Sequence, residues 1–352
     1  MADEMLIEIW PSDFLLPSVD CKSLQFLACT RICAAPVKVM RNCRPWKSPN
    51  GHVPVFRHGP NIEHTEFSMF VHQMHKQFPD LSLDSTLSFS DYAECQAYYA
   101  LLSEALYPAY IQMMWLDDAN YNTVTSRWYT MHLPVFYGIY YVGRMKRWAE
   151  QYVRKVYCGE LVAKEDIEYA VYKKAVNCIS LLAAKLGEKK FFFGDRPSSL
   201  DALMFGYLAP MLRLPLPNDK LGECVRRYRN LIRLVDSMIS IYMPLSDEEI
   251  TTQTISNKEW EARRIDARRH IGQRRSREGS SPSQHRNDSD FKSADDEEYP
   301  LRDKVIFGVG AGVLMLLFAV HFGILQVDVK EVTTEESKVP VLPEPLLEAE
   351  TL

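Results

Sequence analysis

The chain has 352 residues, 47% hydrophobic and 25% charged, enough for one or two packed domains with a linker and an anchor. Its 46 acidic and 41 basic residues leave a formal charge of −5, which argues against nucleic acid as the main partner. All eight cysteines precede residue 246 and form no Cys-x-x-Cys pair, so a zinc-type framework is excluded and the thiols read as reduced side chains of a cytosol-facing body.

Acids open the N-terminus (Asp3, Glu4) where a secretory signal would carry basic residues. Met5, Ile7 and Ile9 share one face of a short strand that ends at Trp10-Pro11. Cys21, Leu24, Leu27 and Ala28 then fall at helical spacing, and a β-rich piece follows at Pro36 to Met40. The segment Gly51 to Phe56 reads as a strand that starts at Pro54, since proline cannot donate to a ladder and is confined to beginnings and edges; an apolar residue before it makes Pro54 a candidate for a cis bond. A strand around Ile62 and a helix from Thr65 towards Phe78 complete a β-α-β, β-β-α order. Residues 1–82 are therefore assigned to a thioredoxin-like domain.

Beyond Ser90 the β signals stop, and residues 83–245 read as all-helical. Cys95, Tyr99, Leu102 and Leu106 mark one face, and Ile167, Ala170, Val171, Cys178, Leu181 and Leu182 another. The run Gly194-Asp195-Arg196-Pro197-Ser198-Ser199-Leu200-Asp201 is a sharp helix-start signal, with Ser198 as N-cap and Asp201 reaching back to it. Pro54, Gly194, Ser198 and Asp201 are thus given structural roles.

Residues 246–304 turn polar, with an Arg-rich stretch from Arg263 to Arg277 and an acidic one from Asp288 to Glu298. They are expected to form a charged linker, a lipid-touching helix being the alternative. Val305 to Leu325 form the one run long and apolar enough to cross a bilayer as a helix, and residues 326–352 form an acidic tail. Arg302 and Lys304 before the span and the acids after it agree with a C-terminal anchor and a cytosolic bulk.

A thioredoxin-like start, a helical continuation and the Gly-Asp-x-Pro-Ser-x-x-Asp box together resemble the glutathione transferase fold. Within it, Ile9-Trp10-Pro11-Ser12-Asp13-Phe14, the cluster Trp115-Leu116-Asp117-Asp118-Ala119-Asn120-Tyr121, Trp128-Tyr129 and Lys190-Phe191-Phe192-Phe193-Gly194-Asp195 are similar to the metaxins. The expected architecture is mostly α: a thioredoxin-like domain, an all-helical transferase-like domain and a single C-terminal transmembrane helix. The resemblance implies a mitochondrial outer-membrane protein, facing the cytosol, that works with a second metaxin and an outer-membrane β-barrel assembly subunit, with mitochondrial precursor proteins as further ligands. It implies no cofactor and no catalytic residue.

Two other functions share this architecture, a membrane-anchored glutathione-dependent enzyme and a mitochondrial membrane-dynamics factor. Thiolate chemistry would need Ser18 or Cys21 at the first helix start, where Asp13 and Asp20 place unfavourable negative charge, and a polar pair near His64-Thr65. His72 and His75 share a helical face without further metal ligands at fixed spacing. The aromatic residues Trp115, Tyr121, Trp128 and Tyr129 divide between core packing and a partner surface, since Trp and Tyr are enriched at interfaces.

Overall fold

The computed structural model describes residues 4–41, 43–157 and 164–279. The run 305–325, read above as a span, and the acidic tail lie outside them; among the described residues no helix is long and apolar enough to cross a membrane.

Strands β1 (Met5–Glu8), β2 (Lys38–Met40), β3 (Val55–His58) and β4 (Ile62–His64) form one sheet in the order β2-β1-β3-β4. β1 and β2 run parallel across helix α1 (Cys21–Ile32), while β3 and β4 are antiparallel neighbours. Alternation puts Met5, Ile7 and Ile9 inside, and Glu8 is tolerated in the core because Arg57 pairs with it at 2.9 Å. The Val53–Pro54 bond is cis and pairing begins one residue later, at Val55, as a donor-less proline requires. Phe56 of the sheet, Phe70 of α2 (Phe67–Gln77) and Phe26 of α1 pack in sequence, with ring centroids 5.1 and 4.5 Å apart.

The helical part comprises α3 (Phe89–Leu101), α4 (Tyr107–Ile111), α5 (Asp118–Asn120), α6 (Ser126–Met131), α7 (Val135–Tyr157), α8 (Lys164–Leu186), α9 (Ser199–Arg213), α10 (Lys220–Arg226) and α11 (Arg229–Tyr242). Single π-type turns at Leu102–Leu106, Gln112–Leu116 and Tyr121–Thr125 link α3 through α6. Helices α1 and α9 are buried over most of their surfaces and pack against each other, so the two domains share one core.

The helix-start signal forms as read. The buried Asp201 carboxylate accepts from the Ser198 N–H (2.8 Å), the Ser198 hydroxyl (2.7 Å) and the Phe192 N–H (3.0 Å). The preceding turn closes at Gly194, whose φ of +117° is open to glycine and costly for other residues. Burial outweighs these hydrogen bonds and raises the Asp201 pKa from 3.8 to about 6. Because the folded value lies above the unfolded one, the stability tied to the neutral acid is complete below pH 3.8 and lost as pH rises through about 6. Urea titrations at a series of pH values should therefore show the wild type losing about 2 kcal/mol relative to Asp201→Asn between pH 4 and 7.

One expectation is corrected. Residues 247–279, read as the first part of a solvated tether, form helix α12 (Asp247–Gly279), which is bound to the body. Gln253 Oε1 accepts from the Leu15 N–H at 2.7 Å, the buried Trp260 meets Phe14 at 5.6 Å, and Arg268 Nε donates to the Pro217 carbonyl at 2.9 Å. Phe14 and Leu15 hold φ of 56° and 57°, a left-handed conformation that non-glycine residues keep only when tertiary contacts fix it. Composition hid the helix because its apolar anchors are few and widely spaced along a charged surface. Trp260→Ala should release α12 locally, seen as at least about tenfold faster hydrogen exchange at the Leu15 amide, since even half of the cost of a buried Trp deletion exceeds 1.4 kcal/mol.

Candidate functional site

A cavity of about 280 Å³ lies where the two domains meet. The start of α1 (Asp20, Cys21, Lys22), the bend Asn50 to Pro54 and the pair Thr65-Glu66 line one side; Tyr107, Tyr110, Trp115, Tyr129, Tyr141 and Trp148 line the other. The cavity brings a helix N-terminus, a cysteine and several polar groups together, so the state of each polar group there decides what it could hold.

Asp20 caps α1: its carboxylate accepts from the Ser23 N–H at 2.9 Å and the Ser23 hydroxyl at 3.0 Å. A carboxyl group, its pKa raised by burial, thus already fills the N-terminal end of the helix. Cys21 lines the cavity, but burial first, and then the charge of Asp20, push its thiol well above the usual range. Ser18 is fully buried, donates to the Trp10 carbonyl at 2.8 Å and is not among the residues that line the cavity. On the same side Lys22 pairs with Glu66 at 2.9 Å, and the Asn50 amide donates to Thr65 Oγ1 at 3.4 Å. The polar groups that would grip a ligand are spent on each other. His52, held at a pKa of about 4 by burial and then by Arg144 and Lys22, is neutral at pH 7.

Trp10, Asp13, Trp115, Trp128 and Tyr129, among the residues that carried the family resemblance, form one physical network. Trp128 Nε1 donates to Asp13 Oδ2 at 2.9 Å, and its ring lies 6.0 Å from Trp10 and 5.1 Å from Tyr129. Trp10 also meets Tyr129 edge-on at 4.7 Å, and Trp115 meets Tyr129 at 5.1 Å. Asp117 caps the next turn through the Asn120 N–H and accepts from Asn218, while Asn120 bonds the Met113 and Asn218 carbonyls. The partner-surface reading of this cluster is therefore corrected: Trp115, Trp128 and Tyr129 are buried, and Tyr121 is half-buried under Lys146. Their dense aromatic content seals the domain joint, where area and hydrogen-bonding handles are both used. His72 and His75 lie on α2 and line a separate cleft beside Asp84. The residues that sequence reading did not single out are Lys22, Glu66, His52 and Arg144; only the Asp20-to-Ser23 spacing offered a local signal, that of an N-cap.

A four-stranded sheet of thioredoxin-like order, its first helix pressed on an all-helical domain through helix α9, which starts at a Ser-x-x-Asp box, defines a glutathione-transferase-like body. Residues 175–238 match the family model of the glutathione S-transferase C-terminal domain, and residues 23–146 that of an outer mitochondrial membrane transport complex protein. A metaxin-1 homolog of Caenorhabditis briggsae is 40% identical, covering 94% of this chain and 100% of the relative. Metaxin-1 of Mus musculus is 35% identical over 71% of this chain and 78% of its own, and metaxin-3 of Xenopus laevis 34% over 69% and 78%. The chain belongs to the metaxin family. Among solved structures, a beta-etherase from a Sphingobium strain aligns over 70% of this chain and 99% of its own at 13% identity and a TM-score of 0.49.

Proposed function

We propose that the chain is a non-enzymatic subunit of an outer-membrane import, sorting and β-barrel assembly complex, anchored by residues 305–325 with its bulk facing the cytosol. It acts by binding a second metaxin and an outer-membrane β-barrel assembly subunit, with precursor proteins as further ligands. The observation that supports this reading best is the α1 start: the Asp20 carboxyl caps the helix end that a thiolate site would leave open, and burial pushes the Cys21 thiol well above its usual range. The enzyme reading retains one supporting feature, the cavity beside Cys21 and Pro54.

Purification of the tagged full chain from mitochondria in mild detergent, beside a glutathione-resin control, separates the two. Recovery of a second metaxin and a β-barrel assembly protein without glutathione retention is expected. Retention on glutathione without those partners would overturn the reading, and loss of that retention in Cys21→Ala would then locate the enzyme site.

A further inference from the structure

Charge is segregated along this acidic chain. No carboxylate occurs between Asp20 and Glu63, a stretch with seven basic residues, and none between Asp118 and Glu150, a stretch with four. The fold sets the two stretches side by side: Trp46 meets Tyr137 at 5.0 Å, Arg144 donates to the Asn50 carbonyl at 2.7 Å, and His52 lies 5.8 Å from Trp148.

At one end of this joint the turn from α6 into α7 lifts a run of apolar side chains into solvent. Met131 and Val135 are each 67% exposed, and Phe136, Ile139 and Tyr140 are more than half exposed, with Trp46 open beside them. Helical spacing sets basic groups around this tip: Arg127 one turn before Met131, Arg147 two turns after Ile139, and Lys47 next to Trp46, all exposed. Exposing so many large apolar side chains to water is unfavourable, and a cluster of this size on a protein surface marks a contact site.

The occupant follows from shape and charge. The tip is a helix–helix turn, and the stretches that build it, 21–62 and 119–149, carry basic residues and no carboxylate, whereas protein interfaces are depleted in lysine. Aromatic side chains with polar edges beside Lys and Arg suit the headgroup layer of a bilayer with anionic lipid. We propose that the α6–α7 turn with Trp46 is a peripheral membrane-contact surface, its apolar tip set among the headgroups of an anionic bilayer and Lys47, Arg127 and Arg147 on lipid phosphates. Contact there orients the body against the membrane, independently of which subunits it binds.

The test is hydrogen exchange of the peptide spanning residues 128–142 in the full chain. The chain is reconstituted into nanodiscs of phosphatidylcholine alone or with a minority of phosphatidylinositol. The turn should exchange at least about fivefold more slowly on the anionic discs, the effect of one basic side chain at such a surface, and high salt should remove the difference. Met131→Asp combined with Ile139→Asp, both at exposed positions, should abolish the protection. Lys47→Glu with Arg127→Glu should abolish the lipid preference while leaving the apolar tip intact. Equal exchange on both discs and in detergent would overturn the proposal. So would protection that arises only on adding a purified second metaxin, which would make the patch a protein interface. Partner recovery by the same variants reports separately on the assembly role.

Discussion

Trp128→Ala is expected to cost about 4 kcal/mol of unfolding free energy, the largest effect of any single substitution considered, read as a lower urea midpoint by circular dichroism of the full chain in mild detergent. The side chain is 1% exposed and touches Trp10, Tyr129 and His132, so its removal leaves a cavity at the joint between the domains. A second loss adds to the first: the buried Asp13 carboxylate gives up the indole N–H at 2.9 Å. Trp128→Phe separates the two. It keeps most of the ring volume but not the donor, and should cost only about 1–3 kcal/mol, the penalty of an unpaired buried acceptor. If Trp128→Phe were as damaging as Trp128→Ala, the hydrogen bond and not packing would dominate the joint. If Trp128→Ala cost under about 1 kcal/mol, the aromatic network would not hold the domains together.

Gly206→Ala should destabilise by about 2–3 kcal/mol although alanine is the better helix former. Gly206 lies on α9 where α1 crosses; an added Cβ would overlap the Gln25 side chain and sit 2.6 Å from the Cys21 carbonyl. Gln25 can swing aside, but the carbonyl is backbone in the first turn of α1, so the helix itself must shift. Helix propensity returns only about 1 kcal/mol, and the clash outweighs it. Gly143→Ala on α7, where an added Cβ meets nothing within 4 Å, is the matched control and should stabilise by about 0.5–1 kcal/mol. A stabilised Gly206→Ala would mean that α1 and α9 slide freely, which their shared burial argues against.

Local signals were readable from the residues alone. The alternation of Met5, Ile7 and Ile9, the proline before β3 and the Ser198–Asp201 box each act within a few residues, where backbone geometry and capping chemistry leave few choices. The thioredoxin-like order followed from stringing these signals together, and the polarity at the α1 start was legible because Asp20 precedes Cys21 in the chain. Which aromatic residues are core and which are surface was not legible: Trp128 and Phe136 stand eight positions apart in one helical region, and only the approach of Trp10 and Asp13, more than a hundred residues away, decides that the first is buried and the second is not. Helix α12 shows the same division. Its charged composition describes the face that meets water, while its attachment depends on Gln253 and Trp260 finding Leu15 and Phe14 across some 240 positions of sequence. Capping and strand patterning are settled by short-range sterics and hydrogen bonds, whereas burial is settled by whichever distant surface removes water, and that partner exists only once the chain has folded.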